Sequence, residues 1–309
     1  MKHFMSIVFF LFIGDIVIQE ISAFVDEKVI KPTFRGKKPK SSKLTAGRKL
    51  GSYDLPYLVY LSLEREVGKR DFWGVGALIH REWILTARHL LLEFNKPYTK
   101  VKKVFNMWAL PAYYSDLNLL KSLVTKLPIL GLYCHPWDKS KSYLVEDLAL
   151  IKVKAVNTDM SKGEYSIPVN LPDQNFDVWG QQIVSVAGWG SSIPGVKNQT
   201  TFLQTWKLEI QKKEVCRKLY SDFTTNEWFC AGDSAHTTCN GDAGAPAIIG
   251  YNNTADVATD HTILGVASFN DFNCTRAGGF INVAHFRGWI DEVINNSPDK
   301  YKCANLVDS

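Results

Sequence analysis

Cys239-Asn240-Gly241-Asp242-Ala243-Gly244-Ala245-Pro246 is the stretch around which the rest of the chain reads. Its glycines and closing proline mark it as a turn. It runs straight into Ala247-Ile248-Ile249, a short β-forming run with many counterparts. Ahead of it stand Pro56-Tyr57-Leu58-Val59-Tyr60-Leu61, Val75-Gly76-Ala77-Leu78-Ile79, Trp83-Ile84-Leu85-Thr86, Leu148-Ala149-Leu150-Ile151-Lys152-Val153, Ile183-Val184-Ser185-Val186-Ala187-Gly188-Trp189 and Trp206-Lys207-Leu208-Glu209-Ile210. Behind it stand Ile263-Leu264-Gly265-Val266-Ala267 and Phe280-Ile281-Asn282-Val283. Many short strands with turn residues between them indicate an all-β barrel protein. One helix is clear near the end, where Phe286, Trp289, Ile290, Val293 and Ile294 fall on one face. No internal repeat occurs at a solenoid period.

The chain has 309 residues, room for two small core-forming domains at ~100–200 residues each. With 46% hydrophobic and 22% charged residues it has a globular composition rather than a disordered one. The net charge of +5 permits contact with anionic partners without demanding it. Residues 1–23 read as a secretory signal peptide: a basic start, an apolar core and Ser22-Ala23 before the cut. Asp15 and Glu20 break the apolar run too early for a spanning helix. No later run is apolar enough, and residues 302–309 are polar, so no membrane span or lipid anchor is expected. Residues 24–43 form a lysine-rich pro-segment or linker with neither helical nor strand periodicity. Secretion opens Asn198, Asn252 and Asn273 as glycosylation sequons. It also lets the six cysteines form disulfides. No cluster has metal-ligand spacing, so neither metal nor cofactor is expected.

Two further motifs decide what the turn is. Trp83-Ile84-Leu85-Thr86-Ala87-Arg88-His89 resembles the Trp-x-Leu-Thr-Ala-Ala-His strand end of chymotrypsin-like serine proteases. Glu146-Asp147-Leu148-Ala149-Leu150-Ile151 resembles their Asp-Ile-Ala-Leu-Leu segment, and the opening stretch resembles their Cys-x-Gly-Asp-Ser-Gly-Gly-Pro loop. Three motifs in the family's order, over residues 44–295, make the resemblance specific. It implies two packed six-stranded antiparallel β-barrels, at residues 44–170 and 171–284. A C-terminal α-helix at 285–297 and a tail at 298–309 follow. It places His89 and Asp147 in the catalytic triad and the Gly241 and Ala243 amides in the oxyanion hole.

The resemblance breaks at the nucleophile. The chemistry requires an imidazole to take a hydroxyl proton, a carboxylate to fix its tautomer, and backbone N–H groups to hold the oxyanion. Ala243 has a methyl group where the hydroxyl belongs. Loss of that serine costs roughly 10⁶-fold in turnover, about 8 kcal/mol. His89 and Asp147 then persist as a structural pair. The family's bridge beside the histidine is replaced by Leu90 and Gly74; without a link worth ~2–4 kcal/mol the histidine loop is expected to loosen. Arg88 and Ala245 also depart from the pattern. A guanidinium at Arg88 either disfavours an imidazolium or points to solvent. From His89 to His135 the chain is longer than the family's.

The family framework implies disulfides Cys216–Cys230 and Cys239–Cys274. Cys134 and Cys303 are left over; the leading expectation is a Cys134–Cys303 bridge tying the tail to the first barrel, near which the family's end helix packs, and the alternatives are two free thiols or a bond to another chain. The specificity pocket maps to Thr237 at its base, Ser268 to Asn270 along its rail and Gly278 at its rear wall. Thr237 gives no charge for a basic substrate side chain, and Asn270 is expected to crowd the mouth. Lys43-Leu44 lies at the family's activation cleavage, whose new ammonium would pair with Asp242; it reads as a vestigial activation site.

The resemblance therefore implies a secreted, inactive protease homologue acting by protein binding, with its partner unidentified. Pro56-Tyr57-Leu58-Val59-Tyr60-Leu61 and the Gly-x-Leu-Ile-His-x-x-Trp spacing after it resemble a mammalian subgroup of inactive trypsin-like proteins, several of them testicular. That implies a reproductive-tract role. A second reading is a hydrolase with another nucleophile, such as Ser234, Thr238 or Ser268. A third is an anionic-glycan binder using residues 37–49 and Lys100-Val101-Lys102-Lys103. No motif supports nucleic-acid binding.

Overall fold

The computed structural model describes residues 48–51, 53–64, 72–95, 100–103, 106–138, 145–179, 182–193, 196, 198–221, 226–251, 258–271 and 273–303. The signal-peptide segment, the basic arm, Lys43-Leu44 and Asn252 lie outside these residues.

Strand β1 (Arg48–Lys49) comes first in the chain. β2 (Leu58–Glu64), β3 (Phe72–His80) and β4 (Trp83–Thr86) follow, then a hairpin of β5 (Leu92–Asn95) and β6 (Lys100–Lys103). β7 (Asn106–Pro111), helix α1 (Leu117–Leu123), β8 (Ile129–Cys134) and β9 (Ala149–Val153) complete the first half. The second half holds β10 (Ile183–Gly188), β11 (Gln204–Glu209), helix α2 (Lys213–Leu219) and β12 (Trp228–Ala231). β13 (Pro246–Ile249), β14 (Thr262–Phe269), β15 (Gly278–Asn282) and helix α3 (Arg287–Asn296) end it.

Six strands form the first sheet, in the order β7-β2-β3-β4-β9-β8, and all its pairings are antiparallel. Six strands of the second half form the other, to which β1 adds at the edge: β1-β11-β10-β13-β14-β15-β12. Two curled antiparallel sheets thus build the chymotrypsin-like architecture with its C-terminal helix. β1 pairs Arg48 with Thr205, so a segment preceding the first sheet belongs to the second. β2 is flanked on both sides by hydrogen-bonded partners, and Leu58, Val59, Tyr60 and Leu61 are buried. Trp83, Trp189 and Trp228 are the largest fully buried side chains.

The halves meet through backbone. Leu203 N–H donates to the Ser115 carbonyl and Leu117 N–H to the Thr201 carbonyl, both at 2.8 Å. The extra length between His89 and His135 contains the β5–β6 hairpin and α1. Asp116 starts α1 by accepting the Asn118 and Leu119 amides, as N-capping requires. α3 buries Trp289, Ile290 and Val293.

Candidate functional site

β4 and β9 pair with Thr86 opposite Ala149. His89 lies three residues beyond the end of one strand and Asp147 two before the start of the other, so this register brings them together. His89 Nδ1 donates to Asp147 Oδ2 at 2.6 Å, and the His89 backbone N–H donates to Oδ1 at 2.7 Å. The Ser268 hydroxyl, near the end of β14, donates to the same Oδ2 at 2.5 Å. Asp147 is fully buried. Burial pushes its carboxyl up, but His89, the Arg88 guanidinium and the Ser268 hydroxyl together hold it below the ordinary aspartate value.

Arg88 turns inward rather than to solvent. It is 1% exposed and donates from Nη1 to the His135 carbonyl at 2.9 Å. Burial lowers its affinity for a proton, and Asp147 and Glu146 restore part of it; a guanidinium stays charged throughout. It thus serves the carboxylate side of the pair. His135 stands edge-on to the rings of Phe286 and Trp289. Burial drives its pKa down to about 4.

The turn before β13 carries Ala243 and is pinned from both sheets. The Val75 N–H donates to the Ala243 carbonyl at 2.8 Å, and the Gly244 N–H donates to the Ala267 carbonyl at 2.7 Å. Gly241 has φ +97°, a conformation that side-chain-bearing residues avoid. A Cβ there would also lie 2.1 Å from Trp73 Nε1, so the Trp73 indole covers this face of the loop. The amides of Gly241 and Ala243 have no acceptor among the described residues. Ala245 is buried and is not among the positive-φ residues, so an alanine fits without backbone strain.

Loss of the bridge beside His89 leaves no gap. Leu90 is fully buried, and a Cβ on Gly74 would come within 2.4 Å of Leu90 Cδ1. The leucine side chain occupies the space, and only glycine opposite makes room for it. The expected loosening is replaced by packing.

Asp242 turns into the protein. Its carboxylate accepts from the Gly190 and Cys239 backbone amides, both at 3.0 Å. A Cβ on Gly188 or Gly190 would lie within 2.4 Å of Oδ1, so both glycines make space for it. Burial raises its pKa to about 6, opposed in part by those two hydrogen bonds. No described cation pairs with it.

At the positions expected to form the specificity pocket, Thr237 and Thr238 are buried. The Asn270 amide turns inward. Its Nδ2 reaches inward to Thr237 Oγ1 at 2.8 Å and to the Thr238 carbonyl at 2.5 Å. Its Oδ1 accepts the Asp271 amide at 2.7 Å. Gly278 lies beside Thr238, where a Cβ would meet Thr238 Oγ1 at 2.4 Å, so glycine there makes room for the threonine hydroxyl.

The cysteines pair as Cys134–Cys303, Cys216–Cys230 and Cys239–Cys274. Asn198 and Asn273 are exposed. The Thr275 hydroxyl of the second sequon donates to Asp271 Oδ2 at 2.8 Å. Lys100–Lys103 lies on β6. Among the described residues no group of three or more His, Cys, Asp or Glu is placed to hold a metal, and no helix is long and apolar enough to cross a membrane.

Trp73 and the inward reach of Asn270 escaped sequence reasoning. Trp73 adjoins Gly74, whose position was read, but no local pattern says that its ring lies on Gly241.

The profile of the family described as Trypsin matches residues 45–290. The chain is 25% identical over 254 residues to mouse granzyme E, covering 81% of this chain and 90% of the relative. It is 28% identical over 241 residues to renal glandular kallikrein of Mastomys natalensis, covering 72% and 81%. It is 26% identical over 262 residues to human kallikrein-4, covering 83% and 89%. Among solved structures, an HL collagenase aligns with TM-score 0.64 at 20% identity, covering 81% of this chain and 98% of that one. A structure titled GrC aligns with TM-score 0.63 at 21% identity, covering 81% and 99%. At that identity these two establish the fold.

Proposed function

The chain belongs to the trypsin family, and on that premise we propose that it is a secreted member that no longer hydrolyses peptides and acts by binding protein. One observation carries the reading: Ala243 stands at the nucleophile position of a loop whose surroundings are otherwise assembled. His89 Nδ1 is engaged with Asp147, the tautomer that leaves Nε2 to accept a proton. A methyl group offers none. Ser268 is no substitute nucleophile, because its hydroxyl donates to Asp147. The three disulfides and the secreted character of the family agree with the signal-peptide reading of residues 1–23. Asn198 and Asn273 are the exposed glycan acceptors of this proposal.

The test is covalent labelling with a small fluorophosphonate, alongside peptide hydrolysis, on the secreted protein and on Ala243→Ser. The natural protein is expected to stay unlabelled, with turnover at least roughly 10⁶-fold below an intact protease. Ala243→Ser is expected to label at residue 243. Site-specific labelling of the natural protein, lost on heat denaturation, would overturn the reading. The binding half is tested by cross-linking in secretory fluid. A saturable partner of both the natural protein and Ala243→Ser supports it; hydrolysis of that partner by the natural protein sinks it.

Lys43-Leu44 belongs to the same proposal as a vestigial activation site. N-terminal sequencing of secreted material decides. A start at Leu44 places a new ammonium four residues ahead of β1 and gives Asp242 a cation; a start only at Phe24 removes the switch.

A further inference from the structure

A cleft of about 280 Å³ opens between residues 174–179, the start of α2, the end of β15 and the turn into α3. It shares no residue with the His89, Asp147 and Ala243 site. Sites for drug-sized ligands run to ~300–1,000 Å³, so this one has room for a single ring. Its walls are pre-set. Arg287 Nη1 donates to the Pro172 carbonyl at 2.8 Å, which fixes the start of the lining segment to α3. The Trp179 N–H donates to Asp177 Oδ1 at 3.1 Å, and Lys213 Nζ stands 5.2 Å from the centre of the Trp179 ring. Asn282, 8% exposed, ties two further walls together. Its Nδ2 donates to the Asn226 carbonyl at 3.0 Å and its Oδ1 accepts the Ala284 amide at 3.2 Å.

The lining joins two kinds of group. Phe176 and Trp179 are aromatic rings partly buried against the core. The carboxamides of Gln174 and Asn175 are exposed beside them. The electron-rich face of an aromatic ring attracts the polarised C–H groups of a sugar ring. A carboxamide donates and accepts at once, which matches neighbouring hydroxyls that do the same. Asp177 and Lys213 bring opposite charges, so no surplus of positive charge is there to recognise a sulfate or phosphate. We infer that this cleft binds a single neutral hexopyranose ring. Such binding needs neither a nucleophile nor the His89–Asp147 pair, and it is a function additional to anything the protease-like site does.

Methyl α-D-mannopyranoside, methyl β-D-galactopyranoside and the methyl β-glycoside of N-acetyl-D-glucosamine are each titrated into the secreted full chain, its own N-glycans removed enzymatically. Binding is followed by saturation-transfer NMR and tryptophan fluorescence. At least one glycoside is expected to saturate in the millimolar range. Gln174→Ala/Asn175→Ala changes only exposed side chains and is expected to weaken that binding roughly ten-fold or more. Phe176→Leu keeps apolar bulk but removes the ring face, and a similar loss is expected. The rim variant keeps the test decisive if Phe176→Leu does not fold. A heparin oligosaccharide is expected not to displace the glycoside. Absence of saturation with all three glycosides would overturn the inference, as would full affinity in the folded rim variant. Displacement by heparin would overturn it too, by assigning the cleft to anions.

Discussion

Asp242 is a buried carboxylate held by two backbone amides and, among the described residues, by no cation. Its pKa is about 6 in the fold against about 3.9 in an unfolded chain. Between those values the folded state binds more protons than the unfolded state. Stability therefore falls as pH rises through this window, and the loss is complete above about pH 6. The gap corresponds to about 3 kcal/mol. His135, depressed to about 4, acts in the opposite sense: its contribution is lost as pH falls from about 6.5 toward 4. Comparing the natural, uncleaved protein with Asp242→Asn cancels the His135 term. We expect the stability of the natural protein relative to Asp242→Asn to drop by about 2–3 kcal/mol between pH 4 and pH 7.5. Urea denaturation across that range measures it, and a flat difference would refute the raised pKa. At this scale the sequence shows which residue types fill each position. Ala243 is visible as a missing hydroxyl because it interrupts a local motif. Asn270 is visible as a bulky residue on the rail, but its direction is not. Its acceptors, Thr237 and Thr238, lie 33 and 32 residues away, and only the fold brings them within reach.

Elements with a strong local pattern read well, and those shaped by neighbours do not. β4 and β14 are runs of apolar and β-branched residues and stand out. β8, Ile-Leu-Gly-Leu-Tyr-Cys, contains a glycine, and β7 ends in proline at the point where its ladder closes. β12 is four buried residues with no alternation. Each is a strand because a partner pairs with it. α1 did carry a signal, an aspartate N-cap ahead of Leu117 and Leu120, in a stretch too short to compete with the β pattern around it. The contact between the β3 residue Gly74 and Leu90, in the turn that carries His89, belongs to this scale too. Leu90→Ala should cost about 2–5 kcal/mol through the cavity it leaves. Gly74→Ala should cost about 1–3 kcal/mol by overpacking, since its Cβ would meet Leu90 Cδ1 at 2.4 Å. In the double variant the new methyl enters the space left by leucine, so its cost should fall short of the sum by about 1 kcal/mol or more. Strict additivity in chemical denaturation would show that the two positions do not share that space.

Across the whole molecule, each sheet is held by the end of the chain that does not build it. β1, from ahead of the first sheet, pairs with β11 of the second. The segment after α3, which follows the second sheet, returns to the first. There Lys302 bridges Tyr133, Lys152 Nζ donates to the Ser297 hydroxyl at 3.4 Å, and Cys303 bonds Cys134 at the end of β8. Six cysteines in a secreted-type sequence point to disulfides, and the expectation that Cys134 pairs with Cys303 rests on where the resemblance puts the end helix rather than on spacing; the structure forms that bridge. Cys134–Cys303 spans 169 residues, and closing a loop of that length restricts the unfolded chain by about 5 kcal/mol in the chain-entropy account. We expect Cys134→Ala/Cys303→Ala to lose most of this in guanidinium denaturation. The Cys216–Cys230 pair closes a 14-residue separation, for which the same account gives about 3 kcal/mol. The long bridge should therefore be the more costly to remove. If removing it costs less than removing the short one, the Tyr133–Lys302 bridge and the packing of Trp289 against His135 hold the tail by themselves, and the first sheet does not depend on the covalent link.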